Sequence, residues 1–182
     1  MIKLFTNRLI IRDYTAHDLL NNHELLSDNT IMYYLQDIKT NNIEESQENL
    51  TEIINDQSLT DRKLFFFLIE DKNTNELIGS IGYTVSNYTP YGKFVHLGYF
   101  IKQEYWNKGY TSEALKRLLE FAFEENDVYR IHTGCFKENV YSERIMEKFG
   151  FTKEAEFKEY EFHDGKMKDR VEYRLLKHEY LE

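Results

Sequence analysis

The chain has 182 residues, and its 32 acidic and 23 basic side chains give a formal net charge of −9. A chain of this length can bury a substantial core, so we expect one domain over residues 1–182. The single cysteine, Cys135, excludes an internal disulfide, and the cysteine and histidine spacings do not match a metal site. The acidic balance argues against a nucleic-acid partner and is compatible with an amine substrate.

Neither a signal-peptide pattern nor an apolar run long enough to span a bilayer occurs in the sequence. We therefore expect a cytoplasmic protein with no membrane partner.

The first third of the chain predicts one strand followed by helices. Residues Arg8 to Tyr14 have the pattern of a strand, and Thr15 with Asp18 predicts the start of a helix to about Leu26. A short helical piece is predicted over Thr30 to Leu35. A longer helix follows, capped by Asn42 and Glu45. Its predicted inward side comprises Ile43, Gln47, Leu50 and Ile54. Its acidic side is interpreted as a solvated face, with a rim that attracts the substrate as the alternative.

The middle of the chain predicts a three-stranded antiparallel meander. Lys63 to Asp71 is apolar on both faces, and a turn at Asn73 to Glu76 joins it to Leu77 to Ser86. A second turn, at Asn87 to Lys93, leads into the strand Phe94 to Ile101.

The last third predicts a helix, a strand, a second helix and a hairpin. Apolar residues recur at helical spacing from Ala114, and Tyr129 to Phe136 has a strand pattern. Asn139 should cap a helix that ends at Gly150. The strand beginning at Phe151 and the strand around Val171 to Leu175 should be joined by a tight turn at Asp164-Gly165. In the second helix, the predicted inward residues are Tyr141, Ile145, Met146 and Phe149.

A polar loop, Trp106 to Thr111, separates the strand ending at Ile101 from the helix that follows. The N-terminus of a helix carries unpaired N–H groups and a partial positive charge, which suit an anion. Gly109 allows close approach of the main chain, and Lys108 adds a charge. This pattern is compatible equally with a phosphate cradle and with a loop that needs one glycine for its turn.

Four segments in this order resemble the GNAT acetyltransferases, and within them the ribosomal-protein N-terminal alanine acetyltransferases. They are Thr6–Arg12, Leu97–Ile101, Trp106–Ala114 and Lys137–Phe151. The resemblance covers nearly the whole chain. Together with the element order, it implies an α/β (α+β) fold with a mixed, mostly antiparallel seven-stranded sheet and helices on both faces. It also implies a splay between the fourth and fifth strands.

The resemblance implies acetyl-CoA as cosubstrate and no metal. Main-chain N–H groups of the loop would hold the pyrophosphate, and the pantetheine arm would pair with the preceding strand at Phe100 and Ile101. An N–H near Phe100 would polarise the thioester carbonyl. Gly98 would mark the bulge that starts the splay. Asn139 would bond the pantetheine arm in addition to capping its helix. The implied loop residues are Trp106, Asn107, Lys108, Gly109, Tyr110 and Thr111, of which Trp106, Asn107 and Thr111 depart from the broad superfamily pattern.

Two side chains are candidates for the chemistry. Ser142 follows the N-cap Asn139 by three residues, and its hydroxyl is the candidate donor to the leaving thiolate, with helix capping as the alternative. His96 is the candidate general base, because an ordinary histidine has a pKa near 6.5, with a packed or surface role as the alternative. Glu70 is the reserve base.

The resemblance predicts an N-acetyltransferase that transfers acetyl directly to a primary amine, most simply a protein N-terminus. A small amine such as a polyamine, an amino acid or an aminoglycoside is the enzymatic alternative, and a non-catalytic acyl-CoA-binding module is the alternative from another class. The oligomeric state is left open between a monomer and a homodimer.

Overall fold

The computed structural model describes residues 1–181, and within them the backbone forms eight strands and five α-helices. The strands are β1 (Lys3–Phe5), β2 (Leu9–Asp13), β3 (Leu64–Asp71), β4 (Leu77–Thr89), β5 (Gly92–Ile101), β6 (Val128–Phe136), β7 (Thr152–His163) and β8 (Lys166–Leu176). The helices are α1 (Leu19–Ser27), α2 (Ile43–Gln57), α3 (Tyr110–Glu120), α4 (Val140–Lys148) and α5 (Lys177–Leu181). The strand order is β1-β2-β3-β4-β5-β6-β8-β7.

The mixed, mostly antiparallel sheet confirms the predicted fold class. β5 and β6 run parallel, whereas β1 with β2, β2 with β3, β3 with β4, and β8 with both β6 and β7 run antiparallel. The strand count was predicted as seven, and the additional strand is β1, which pairs through Leu4 and Ile11. Three residues are too few to show an alternating pattern, so this strand had no sequence signal.

The chain divides into two compact units, whose boundaries run through β4 and β5. The first unit comprises residues 1–85 and 98–121. Within it, β3 is buried along its middle, as its apolar sequence predicts, and α1 and α2 cover a core cluster beside it. The cluster comprises Tyr14, Leu25, Leu50, Ile53, Leu68 and Leu77.

Helix α2 begins where the capping residues predict, since the Asn42 side chain accepts a hydrogen bond from the Glu45 N–H at 2.9 Å. The predicted inward face was wrong by part of a turn. The buried residues are Ser46, Leu50 and Ile53. Ser46 is fully buried because its hydroxyl bonds with the side chains of Thr40 and His23, at 2.7 and 2.9 Å.

The helical piece predicted over Thr30 to Leu35 is instead a series of turns. Asp28 Oδ1 accepts hydrogen bonds from the N–H groups of Thr30 and Ile31, at 2.7 and 2.9 Å. A side-chain acceptor of this kind competes with helix formation. The start predicted at Thr15 is confirmed, where a capping box with Asp18 precedes a short 3-10 turn and then α1.

The second unit comprises residues 86–97 and the chain from residue 122 onward. β6 pairs with the start of β5 and with β8, and β8 pairs with β7, the last strand of the order. The predicted turn at Asp164-Gly165 is confirmed, with positive φ angles of 49° and 74°. β7 has two register irregularities, between Lys153 and Ala155 and between Phe157 and Glu161, and Glu159 within the second has a φ of 47°.

No helix within residues 1–181 is long and apolar enough to cross a membrane.

Candidate active site

The loop before α3 has the conformation of an anion cradle. Gly109 is the N-cap of α3 with a φ of 79°, and it provides no side-chain cap for the first turn. The first N–H groups of a helix have no partner inside the helix, so those of Tyr110 and Thr111 can bind an anionic ligand. Asn107 also has a positive φ, 58°, which asparagine tolerates better than most residues. Residues Trp106 to Gly109 are exposed.

Trp106 holds the start of this loop. Its indole Nε1–H donates to the Ile101 carbonyl at 3.0 Å, and its own N–H donates to the Gln103 carbonyl at 3.0 Å. The end of β5 is therefore tied to the loop through a side chain. The large residue at this position, which departs from the broad superfamily pattern, thus has a structural role in this chain.

Arg8 and Glu113 brace the other end of the loop through a contact that was not predicted. Glu113, in the first turn of α3, accepts hydrogen bonds from Thr6 Oγ1 at 2.6 Å, from the Arg8 N–H at 2.9 Å and from Arg8 Nε at 2.7 Å. Arg8 Nη1 donates to the Lys108 carbonyl at 3.1 Å, and the guanidinium lies 4.2 Å from the centre of the Tyr110 ring. The cradle is therefore fastened to the N-terminal end of β2.

The main chain of β5 favours Ile101 over Phe100 as the donor to a bound carbonyl. The Lys102 N–H donates to the Ile78 carbonyl in β4 at 2.8 Å. Because main-chain groups alternate in direction along a strand, the N–H of Phe100 also faces β4 and that of Ile101 faces away. The N–H predicted near Phe100 therefore shifts by one residue.

The parallel pairing of β5 with β6 is short. It joins Lys93–His96 to Val128–His132, although both strands continue beyond these residues. This break in pairing is the predicted splay. A register irregularity in this pair lies between Lys93 and Phe94, and the ladder ends at His96, before Gly98. The bulge at Gly98 stays a prediction.

His96 lies at the last paired position of β5, with an exposed side chain. Its ring stacks on that of His132, with centroids 4.7 Å apart and planes 10° apart. Burial lowers the pKa of His132, which favours the neutral form of this ring.

Ser142 lies in the first turn of α4. Its N–H donates to Asn139 Oδ1 at 3.3 Å, which confirms Asn139 as the helix cap. The Ser142 side chain hydrogen-bonds Cys135 at the end of β6. Burial raises the pKa of the Cys135 thiol to about 11, and the bond from Ser142 opposes this rise. Tyr141 was predicted to face inward, but its side chain is 65% exposed, so this prediction was wrong.

Glu70 belongs to a network of charged side chains with Arg12 and Asp18. Arg12 donates to its two carboxylate oxygens from Nη2 at 2.5 Å and from Nε at 3.0 Å, and also donates to Asp18 at 2.8 Å. Because Arg12 engages both carboxylate oxygens, the geometry disfavours Glu70 as the reserve base.

The structure thus places the predicted residues in two groups. Phe100, Ile101 and the loop 106–111 belong to the first unit, whereas His96, Asn139 and Ser142 belong to the second.

The family model that matches this chain is that of an acetyltransferase (GNAT) domain, and it covers residues 8–152. The chain belongs to the GNAT acetyltransferase family. It is therefore an acetyl-CoA-dependent N-acetyltransferase.

Three similar proteins represent the range of this GNAT chain's relatives. An uncharacterised N-acetyltransferase, p20, from Bacillus licheniformis is 28% identical over 99% of both chains. The [ribosomal protein uS5]-alanine N-acetyltransferase of Escherichia coli is 31% identical over 59% of this chain and 55% of that protein. The crystal structure of spermidine N-acetyltransferase from Vibrio cholerae, in complex with CoA and spermine, superposes with a TM-score of 0.85 at 24% identity, covering 97% of this chain and 100% of that one.

Acetyl-CoA is the cosubstrate of this GNAT enzyme, and the loop fits its diphosphate. The fit rests on the uncapped first turn of α3 and on the glycine N-cap, where a side chain would otherwise occupy the turn. Within residues 1–181, no group of three or more histidine, cysteine, aspartate or glutamate side chains is arranged to hold a metal ion.

Proposed function

We propose that this GNAT enzyme acetylates the N-terminal amine of a protein, of the alanine type. The observation that carries the proposal is the similarity to the E. coli uS5-alanine N-acetyltransferase, which combines the highest identity of the three relatives with an established kind of acceptor. The N-terminal segment Thr6–Arg12 supports the same assignment, because it is one of the segments on which the resemblance to this branch rests.

In the proposed mechanism, acetyl-CoA supplies the acetyl thioester, and the protein binds, orients and moves protons. The N–H groups after Gly109 bind the diphosphate, and Lys108 adds a positive charge. The N–H of Ile101 donates to the acetyl carbonyl oxygen. The main chain next to these donors is held before the cofactor binds, because Trp106 donates to the Ile101 carbonyl and Arg8 donates to the Lys108 carbonyl.

The two candidate side chains have different roles: one accepts a proton from the amine, and the other donates a hydrogen bond to the leaving sulfur. An ammonium must lose a proton before its nitrogen attacks, and His96 is the proposed acceptor, directly or through water. As the nitrogen–carbon bond forms and the carbon–sulfur bond breaks, the Ser142 hydroxyl donates to the departing sulfur. Its position in the first turn of α4 adds the favourable dipole of the helix N-terminus.

A small polycationic amine is the second candidate acceptor, and the negative charge around a cavity in the first unit favours it. A cavity of about 140 Å³ is lined by Glu24, Asp28 and Glu104 with a single cation, Lys102, which pairs with Glu24 at 2.5 Å. An excess of carboxylates attracts cations before they bind. The V. cholerae neighbour was solved with spermine, which is the reason to include a polyamine in the test.

The deciding experiment compares acceptors under one set of conditions. Release of free CoA thiol is measured with an alanine-starting peptide, with the same peptide blocked at its N-terminus, and with spermidine, and products are identified by mass spectrometry. A kcat/KM for the free peptide above that for spermidine, with no reaction of the blocked peptide, supports the proposal. A higher value for spermidine, or equal reaction of the blocked peptide at a lysine, overturns it.

A further inference from the structure

The carbonyls of β5 that face β6 are bound by side chains at the point where the two strands stop pairing. The Thr133 hydroxyl donates to the Leu97 carbonyl at 3.0 Å. One step earlier, the His132 ring hydrogen-bonds the Val95 main chain. Thr133 and Leu97 are 5% and 2% exposed, so solvent has little access to this contact.

This arrangement differs from a continuing parallel ladder. In a ladder, the carbonyls of one strand accept from main-chain N–H groups of the next, and side chains stand roughly perpendicular to the sheet. A threonine hydroxyl can take the carbonyl only where the main chains have moved out of that pattern. Thr133 is held on its other side, since it pairs with Tyr173 in the regular antiparallel ladder of β6 with β8.

The bond also determines the direction of the next peptide. The Leu97 carbonyl and the Gly98 N–H belong to one planar peptide unit, so fixing the carbonyl fixes the N–H. A Cβ at Gly98 would meet nothing within 4 Å, so packing at this residue does not hold the strand. The side-chain bond to Leu97 therefore constrains β5 from the β6 side, in addition to the hydrogen bonds that β5 makes with β4.

We propose that Thr133 is a positioning residue for acetyl transfer. Its hydroxyl caps the Leu97 carbonyl, prevents the parallel ladder from closing by a further residue, and sets the path of Gly98 to Ile101, whose main chain donates to the acetyl group. The inference rests on the proposed role of this segment of β5. It does not depend on which amine is the acceptor.

The test replaces Thr133 with valine, which keeps the shape and removes the hydroxyl, and with serine, which keeps the hydroxyl. Thr84→Val is the matched control, because Thr84 is a half-buried threonine of β4, opposite Leu64. We expect Thr133→Val to lower kcat about tenfold with less than a twofold change in the CoA dissociation constant, since the α3 loop is untouched. Thr133→Ser and Thr84→Val should keep the parental kcat.

A second measurement is independent of the acceptor. Amide hydrogen exchange over Gly98 to Ile101 should be about tenfold faster in Thr133→Val than in the parent or in Thr133→Ser. If Thr133→Val does not fold, Thr133→Ala compared with Thr133→Ser makes the same distinction. Parental exchange and kcat in the variants without the hydroxyl, or an equal defect in the serine variant, overturn the proposal. Failure of the parent to acetylate any amine refutes the proposed function, while hydrogen exchange still decides the role of Thr133.

Discussion

Replacing Glu113 with alanine tests whether the brace at α3 supports the cofactor loop. The substitution removes the acceptor of the Thr6 hydroxyl and of the Arg8 N–H, and it also removes the ion pair to Arg8 Nε. Hydrogen bonds to a charged group contribute about 1.5 kcal/mol each. The ion pair adds less than about 1 kcal/mol, because the Arg8 side chain is 41% exposed.

The expected loss of unfolding free energy is therefore about 3 kcal/mol, which corresponds to a fall in Tm of roughly 6–12 °C for a chain of this length. Glu113→Gln should lose roughly half as much, because one acceptor oxygen remains. With the brace gone, Arg8 no longer holds the Lys108 carbonyl in place, and we expect CoA to bind about tenfold more weakly, through lost preorganisation.

The assays are urea unfolding and isothermal titration with CoA. Glu120→Ala is the control on the same helix. Within residues 1–181, Glu120 forms an ion pair with Arg117 at 3.8 Å, and its loss should cost less than about 0.5 kcal/mol. If Glu113→Ala matches Glu120→Ala in both stability and CoA affinity, the brace does not support the loop and the reasoning fails.

Four further expectations concern single side chains. Ser142→Ala should lower kcat roughly 10- to 100-fold at unchanged CoA affinity, and unaltered turnover would remove Ser142 from the mechanism. His96→Gln should abolish a rise of kcat/KM between about pH 6 and 7, whereas a parental pH profile would assign the proton transfer elsewhere. Cys135, with a pKa of about 11, should be alkylated at pH 8 at least about tenfold more slowly in the native protein than in urea; equal rates would contradict its burial. Burial raises the pKa of Asp18, but hydrogen bonds from Arg12 and Thr15 outweigh it and the net pKa is lowered. This stabilisation is complete above the unfolded pKa of about 3.9 and is lost as pH falls through the folded pKa. The free energy of unfolding of Asp18→Asn, measured by urea titration, should therefore fall less than that of the parent between about pH 5 and 3.

Local signals predicted the parts of the fold that depend on neighbouring residues. The turn Asp164-Gly165 and the helix caps at Thr15, Asn42 and Asn139 require only a few adjacent residues, and all four are confirmed. The apolar residues of α3 also face inward as their spacing predicts, and Ala114, Leu115, Leu118 and Leu119 are buried.

The errors occur where distant contacts override local patterns. In α2, the buried face is offset by one position from the predicted one. It contains Ser46, whose hydroxyl hydrogen-bonds the side chains of Thr40 and His23. The spacing of Tyr141 with Ile145 suggested a core position, but α4 turns that ring to solvent. A helix pattern gives a period and not the direction of the core.

The sequence predicted the local motifs of the candidate site, and the roles assigned to them stay predictions. The loop 106–111 and the cap Asn139 were found because they have local sequence features. The brace between Arg8 and Glu113 spans 105 residues of chain and has no local feature, although Arg8 lies in a segment that the family resemblance included. The ion pair of Glu70 with Arg12 likewise had no sequence signal, because a charged residue near the end of a strand is common and does not indicate its partner.

The irregular course of β7 bears on how the protein behaves at high concentration. A straight edge strand presents a row of unpaired main-chain N–H and C=O groups, with which a strand of another molecule can pair. The two interruptions of β7 and the left-handed backbone at Glu159 break that row into short pieces, and six of the twelve residues of β7 are lysine or glutamate. Fibril formation by strand pairing at β7 is therefore disfavoured, even though the side chains of Phe157 and Phe162 are exposed to solvent.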